Sequence, residues 1–438
     1  MVGLARSGLA AARLIAGRGE TVFGVDSGHP PGAEGLGDLG VEVSLDGQGL
    51  EHLGAARTVV KSPGVPREAP VIEAARERGI EVIGELELAW RALAGRFVAV
   101  TGTNGKTTTA ELIGHLYRTA GEPVAVAGNV GTPLSSLAGE HDPGVTVVCE
   151  CSSFQLEDTT AFAPECAVFL NLAPDHLDRH ASMEQYLEAK LAIFSRQSGD
   201  DVAVFNADEP MLEGRDLGGA ARRVAFCPEP GHEGECEVRL EGETIVAGGE
   251  PLIESADLGI AGPHNRADAM AAAAAALSMG LPREAVRDGL ASFRGLAHRM
   301  EVVAEIGGVA YVNDSKATNV GATVAALEAT EGPVRAILGG SLKEEDYAPL
   351  AGPVALSCAA CYLIGEASGR IEAALRPAAA EGVEVFSCGT LEEAVRRAAA
   401  DAREGETVLL SPACASFDAF ADFEERGERF RELVGRLA

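Results

Sequence analysis

Residues 98–112 read VAVTGTNGKTTTAEL: a β-branched run, a glycine turn and the start of a helix. Phosphate chemistry suits that order. Gly102 and Gly105 let backbone N–H groups approach an anion, the helix N-terminus adds positive potential, and Lys106 supplies a point charge. Thr107 offers a hydroxyl to magnesium. The spacing departs from the usual phosphate loop, which has a further glycine where this chain has Val100. A tight strand-to-helix corner with a solvated lysine is the plain alternative, so companion residues decide.

Glu150 closes the run VTVVCE downstream, where a carboxylate commonly faces a nucleotide-bound cation in open α/β sheets. An exposed strand-end acid is the other reading. NLAPDHLDRH carries His176 and His180, which on a helix would share a face and imitate a zinc pair. Zinc is disfavoured there: the H-E-x-x-H acid is absent, and the neighbouring turn calls for nucleotide phosphate, whose metal is magnesium with oxygen ligands. Lys190, in YLEAKLAIF, lies between apolar neighbours, and pattern alone favours a helix lysine reaching out to water.

Composition bounds what these residues can serve. The 438 residues suffice for two or three domains, and 46% hydrophobic content is ordinary for a globular chain. No apolar run is long enough to span a bilayer, and no leader pattern opens the chain, so a cytoplasmic protein without a membrane span is expected. The nine cysteines show no paired zinc spacing; Cys358 and Cys361 form a lone C-x-x-C, and reduced core thiols are expected. A formal charge of −30 opposes nucleic-acid binding and would repel a free nucleotide. Any phosphate site therefore needs concentrated local positive charge and magnesium.

The elements that must position these residues alternate along the chain. MVGLARSGLAAARLIAGRG reads as a glycine turn entering an amphipathic helix, followed by the strand TVFGVD with Asp26 at its end. VEVSL, RTVVKSPG and IEVIGE continue the pattern, with APVIEAARERG as a helix. The alternation restarts at FVAVTGTNGKT, with buried strands at VTVVCECSS, CAVFLNLAP and DVAVFNAD and a helix at SMEQYLEAKLAIFSRQ. Residues 228–250 look like hairpins and turns, and the alanine-rich helix NRADAMAAAAAALSMG stops at Gly280. EVVAEIGGVAYVND reads as two strands joined at Gly307-Gly308, opening a third unit with strands at VRAILGG, CYLIGE, VEVFSCG and TVLLSPA. The expected fold is α/β with three domains: a Rossmann-like domain over 1–87, a central P-loop-type ATPase with a mixed sheet over 88–295, and a Rossmann-like domain over 296–438.

Taken together, these stretches resemble the Mur ligase family, ATP-dependent enzymes that build the peptide stem of the bacterial cell-wall precursor. The resemblance covers nearly the whole chain. It implies that Gly102, Thr103, Asn104, Gly105, Lys106, Thr107 and Thr108 hold ATP phosphates. Thr107, Glu150 and His176 would bind magnesium, and Lys190 would be carbamylated to support a second ion. Asn265 in GPHNRADA, Arg299 in HRME and Asp314 would meet ATP. Within the family, YVNDSKATN, LGGSLK and LLSPACASFDAFADFEERG are similar to members that add D-glutamate to UDP-N-acetylmuramoyl-L-alanine. Lys316, Thr318, Lys343, Ser416 and Phe423 would then surround the amino acid. Asn129, Ser152, Gln155 and His176 would lie along the muramoyl-alanine, with Arg6, Ser7, Asp26 and Gly64 near its uridine diphosphate end. A monomer without nucleic-acid partners is expected.

The chemistry fits that cast. A carboxylate accepts an amine only once its oxygen can leave, so it attacks the γ-phosphorus of ATP to give an acyl phosphate, with Lys106 and two magnesium ions neutralising charge. The amine then attacks that carbonyl, held in line by Lys343, Ser416 and Thr318. Another Mur ligase, a folylpolyglutamate-synthase-like ligase and a non-catalytic nucleotide-binding relative are the alternatives. Two departures concern the first domain: GLARSG has Ala5 where a second glycine is usual, and Gly28 or His29 stands where relatives carry an arginine. With only Met1 and Val2 before the turn, no opening strand is expected, and the natural start is expected about 5–10 residues upstream.

Overall fold

The computed structural model describes residues 1–129, 131–138, 142–175, 179–232, 236–260, 262–330, 332–342 and 346–437. Chain contacts divide it into two compact units, Met1–Phe293 and Arg294–Ala438.

The first unit opens on a small parallel sheet. Phe23–Val25 pairs with Glu42–Ser44, Thr58–Lys61 pairs with Glu81–Gly84, and Val2 bridges the two pairs. The expected gap at the sheet centre is thus filled by Met1–Gly3. Val2 N–H donates to Val60 O at 2.9 Å and Ser62 N–H to Val2 O at 2.9 Å, while Gly3 N–H and Val25 N–H bond across the other side at 2.8 and 2.9 Å. The helix Arg6–Gly17 leaves this turn and buries Ala10, Ala11, Ala12 and Leu14.

The same unit holds a nine-stranded mixed sheet. Phe97–Thr101 is buried at every residue and lies between Thr146–Glu150 and Cys166–Phe169, all parallel, as the unbroken apolar runs demand. Val124–Gly128 lies beyond Thr146–Glu150; Val202–Asn206, Arg222–Cys227 and Val238–Glu241 extend the other side, and the antiparallel strands Thr244–Ala247 and Glu250–Glu254 finish it. The helix Lys106–Thr119 packs on Pro263–Ser278, whose alanines from Ala271 to Ala276 are buried. Small side chains let that helix lie close to the sheet. A buried ion pair, Lys61 Nζ to Asp158 Oδ2 at 2.6 Å, ties a strand end of the small sheet to the segment after Ser153–Leu156.

The second unit is a six-stranded sheet in the order Glu301–Ile306, Val309–Asn313, Thr407–Leu410, Val334–Gly339, Cys358–Ile364, Glu384–Gly389. The first two strands form an antiparallel hairpin turned by Gly307 and Gly308, at φ of 61° and 74°, and the other neighbours are parallel.

Among the described residues no helix is long and apolar enough to cross a membrane. Seven cysteines are free, Cys358 and Cys361 among them, both buried. Cys227 and Cys236, however, are joined as a disulfide, so the expectation of uniformly reduced thiols fails at that pair. The strands Arg222–Cys227 and Val238–Glu241 pair in parallel with Phe226 opposite Val238, which sets Cys236, two residues before Val238, beside Cys227.

Candidate active site

The glycine turn after Phe97–Thr101 sits at the C-terminal end of a strand with parallel neighbours on both sides, the crevice position for ligands in α/β sheets. Gly105 caps the helix Lys106–Thr119 at φ 80°, and no side chain caps that helix end. The left-handed φ favours glycine, and a Cβ there would lie 2.1 Å from Asp268 Oδ1 and displace that side chain. Asn265 is three residues before Asp268 on the Pro263–Ser278 helix, hence on the same face. Asn171 anchors the other flank: its carbonyl accepts the Thr103 N–H at 3.0 Å and its Oδ1 accepts the Asn104 N–H at 2.9 Å. Lys106 Nζ donates to the Gly102 and Thr103 carbonyls at 3.1 and 2.8 Å. Thr108 is buried one residue beyond Thr107.

Glu150 is buried, not an exposed strand-end acid, and its two oxygens meet two other candidates. Thr107 Oγ1 donates to Oε2 at 2.7 Å and Asn129 Nδ2 to Oε1 at 3.1 Å. Lys190 does not reach out to water either. It is 1% exposed, donates to the Gly102 carbonyl at 2.6 Å and lies 4.4 Å above the Tyr186 ring. Burial, reinforced by the charge of Lys106, pushes its pKa down to about 7. Thr107, Glu150, Asn129, Lys106 and Lys190 thus converge on one turn, presenting two amines, a hydroxyl, a carboxylate and an amide.

Ser152 and Gln155 form a capping box at the start of Ser153–Leu156. His176 lies outside the described residues. His180 is in a turn rather than on a helix, buried between Phe154 and Tyr186 with ring centroids at 5.4 and 5.0 Å, and bonded to Ser153 Oγ at 3.0 Å. A shared helical face with His176 is therefore not formed at that end. In the small sheet, Asp26 accepts the Leu4 N–H at 2.6 Å and the Gly28 N–H at 2.9 Å, so it holds the glycine turn in shape. Ser7 Oγ meets Ser62 Oγ at 3.1 Å, Arg6 is exposed at the helix start, and Gly64 lies in the turn after Thr58–Lys61. His29 pairs with Asp46 at 2.7 Å.

In the second unit, Asp314, Ser411 and Gly340 each follow the C-terminal end of one of three adjacent parallel strands. Asp314 is buried; its oxygens accept from Met300 N–H at 3.2 Å and Ser411 Oγ at 2.8 Å. Burial outweighs those bonds and the nearby Arg299 and Lys316, raising its pKa from 3.8 to about 6. Lys316 is half-buried, its N–H bonded to His298 O at 2.9 Å, and Thr318 follows with its N–H on Lys316 O at 2.9 Å. Ser416 is buried, and Phe423 opens the helix Phe423–Gly435. Lys343 lies outside the described residues.

Arg426 organises this cluster and was not singled out from the sequence. Fully buried, it donates to Ser315 Oγ and O at 2.9 Å each, to Cys414 O at 3.0 Å and to Ala415 O at 3.4 Å. It therefore links the segment carrying Asp314 and Lys316 to the one carrying Ser416. Asn171 and Asp268 are the corresponding omissions in the first unit. The only available sequence signals were Asn171 directly after a buried strand and Arg426 amid FEERGERF.

Residues 1–84 match the model of the MurD-like N-terminal domain of Mur ligases, 100–276 the Mur ligase middle domain and 298–414 the Mur ligase glutamate ligase domain. The UDP-N-acetylmuramoylalanine--D-glutamate ligase of Pelotomaculum thermopropionicum is 42% identical, covering 99% of this chain and 96% of the relative. The protein of the same name from Anaeromyxobacter dehalogenans is 43% identical over 100% and 97%. Among solved structures, the UDP-N-acetylmuramate-alanine ligase of Thermotoga maritima matches with a TM-score of 0.62 at 20% identity, covering 100% of this chain and 99% of that one. The MurF ligase of Thermotoga maritima in complex with ADP matches with a TM-score of 0.55 at 17% identity, covering 88% and 97%. These two share the three-domain fold. The chain belongs to the Mur ligase family.

Proposed function

We propose that this protein is an ATP-dependent ligase that joins D-glutamate to UDP-N-acetylmuramoyl-L-alanine through an acyl phosphate, acting as a monomer in cytoplasmic peptidoglycan precursor synthesis. The substrate choice is supported by the names of relatives about 40% identical over the full chain. The chemistry is carried by one observation: Thr107 and Asn129 bonded to the two oxygens of buried Glu150, beside the Gly102 to Lys106 turn. Domain roles follow as uridine-substrate binding over 1–87, ATP binding over 88–295 and amino-acid binding over 296–438.

A hydroxyl and a carboxylate are hard oxygen donors, so Thr107 and Glu150 fit magnesium, with His176 as a further ligand in this reading. When bound, magnesium neutralises phosphate charge. The backbone N–H groups of the turn hold the phosphates, and Lys106 turns from the Gly102 and Thr103 carbonyls to the transferring group. The substrate carboxylate oxygen bonds to the γ-phosphorus as the bond to ADP breaks. Lys190 adds to this site once carbamylated: with its pKa near 7 a sizeable fraction is the neutral amine, which bonds to carbon dioxide and releases a proton, exchanging a cation for an anion. The amine of D-glutamate then attacks the acyl carbonyl and phosphate leaves. Thr318, Ser416 and Lys343 pin its carboxylates, Lys316 adds a second positive charge, and Phe423 walls the site. Asp314, Arg299, Asn265, Thr103, Asn104 and Thr108 belong to the ATP side, Ser152 and Gln155 to the muramoyl-alanine, and Arg6, Ser7, Asp26 and Gly64 to the uridine diphosphate.

ADP release with each amino acid in turn tests the reading. D-Glutamate with UDP-N-acetylmuramoyl-L-alanine should support turnover where L-alanine and a diamino acid do not. Turnover with either of those instead points to another Mur ligase, and nucleotide binding without turnover to a non-catalytic relative.

A further inference from the structure

Around the end of the strand Arg222–Cys227 lie four side chains, those of Asp208, Cys227, His232 and Cys236, that the ligase chemistry does not use. Cys227 ends that strand, Cys236 precedes Val238–Glu241, both are buried, and their Cα atoms are 6.0 Å apart. A carboxylate oxygen of Asp208, the Cys227 Sγ and an imidazole nitrogen of His232 all lie within 4.8 Å of one another. His232 Nε2 is 2.6 Å from Asp208 Oδ1. Asp208 is held for that contact, because its Oδ2 accepts the Glu229 N–H at 2.8 Å and its own N–H donates to Asn206 Oδ1 at 3.0 Å. The Asp208 side chain is 10% exposed and that of His232 34%, which leaves a path for an ion without stripping the site of shelter.

We propose that the reduced protein binds one zinc-class divalent cation through Cys227, His232, Cys236 and Asp208. Two thiolates, an imidazole and a carboxylate make the four-ligand set that zinc takes in tetrahedral sites, and thiolate softness selects it over magnesium. Cys227 at the end of one strand, His232 after it and Cys236 just before the next strand supply three of the ligands, while Asp208, after the neighbouring strand Val202–Asn206, supplies the fourth. A Cα separation of 6.0 Å suits a disulfide and equally two thiolates on one metal, so the redox state of the compartment decides between them. In a reducing compartment a dithiol gives two electrons and two protons to the S–S bond, leaving two thiols and an oxidised dithiol. Zinc then displaces both thiol protons to solvent. The ion cross-links residues at the ends of neighbouring strands of the nine-stranded sheet, a structural role separate from ligation.

The test uses the full chain, purified with a thiol reductant and without a metal-binding tag. Elemental mass spectrometry should find one equivalent of zinc per chain, and cobalt(II) titration should give thiolate-to-cobalt charge-transfer absorption with the intense visible bands of a tetrahedral ion. The Cys227→Ser, Cys236→Ser double variant should lose both signals. His232→Ala, a gentler change at a partly exposed side chain, should weaken cobalt binding by at least the ~10–100-fold seen for removing a group that merely orients a ligand. Reduced wild type holding no more zinc or cobalt than the double variant overturns the proposal. So does unchanged cobalt affinity in His232→Ala, or a disulfide persisting in cells lysed directly into alkylating agent. None of these readouts depends on ligase turnover.

Discussion

Asp314→Asn should stabilise the protein at neutral pH while impairing its turnover. Burial raises the Asp314 pKa from 3.8 to about 6, so the folded state holds this proton more tightly than the unfolded chain does. The native protein carries no penalty below the unfolded value. Stability is lost as pH rises from there through the folded value, and above it the cost is constant. A shift of about two units corresponds to about 3 kcal/mol of penalty for keeping the carboxylate ionised. Asparagine removes the charge and keeps the bonds: its carbonyl oxygen still accepts the Met300 N–H, and its amide donates to Ser411 Oγ, which can accept by rotation. The difference in unfolding free energy between variant and wild type should therefore be near zero at about pH 3 and grow to about 3 kcal/mol by about pH 7.5. Urea unfolding at a series of pH values, followed by a probe placed in residues 296–438, measures it. A difference that stays flat over that range would refute the burial argument, and a loss of stability at neutral pH would show that the ionised carboxylate is better solvated than these contacts allow.

Arg426→Met should cost about 2–6 kcal/mol by urea unfolding, because it leaves the carbonyls of Ser315 and Cys414 buried without their donor, at about 1–3 kcal/mol each. The KM for D-glutamate should rise more than that for ATP, and Arg426→Lys should not rescue it, since an ammonium cannot reproduce the planar fork. Lys190→Ala should lose most turnover and regain part of it with short-chain carboxylates; full activity without them would remove the carbamate role. In the wild type, stimulation by bicarbonate should weaken as pH falls through about 7, where the Lys190 amine protonates.

Much of the fold could be read from the chain because parallel strands buried on both faces appear as unbroken apolar runs: FVAVT, TVVCE, CAVF and TVLL are strands where those runs fall. Val124–Gly128 and Arg222–Cys227 escaped notice, the first because it is an edge strand rich in alanine and glycine, the second because two arginines open it. The phosphate turn was legible since glycine, lysine and threonine act there through backbone conformation and local charge. Pattern alone points Lys190 to solvent, and only the resemblance places it in the site, because its partner, the Gly102 carbonyl, lies 88 residues away in sequence. The roles of Asn171, Asp268 and Arg426 were invisible for the same reason. The cluster at Cys227 was overlooked because cysteines were paired only with one another, and the histidine and aspartate that complete it enter through the turn and a neighbouring strand.

Transfer of a carboxylate oxygen to phosphate tests the central claim most directly. UDP-N-acetylmuramoyl-L-alanine labelled with oxygen-18 in its carboxylate is incubated with ATP, magnesium, D-glutamate and the enzyme, and the released phosphate is analysed by mass spectrometry. Activation through an acyl phosphate requires the oxygen that bonds to the γ-phosphorus to leave with it, so each phosphate should carry one labelled oxygen. Unlabelled phosphate, released alongside an amide product, would contradict it.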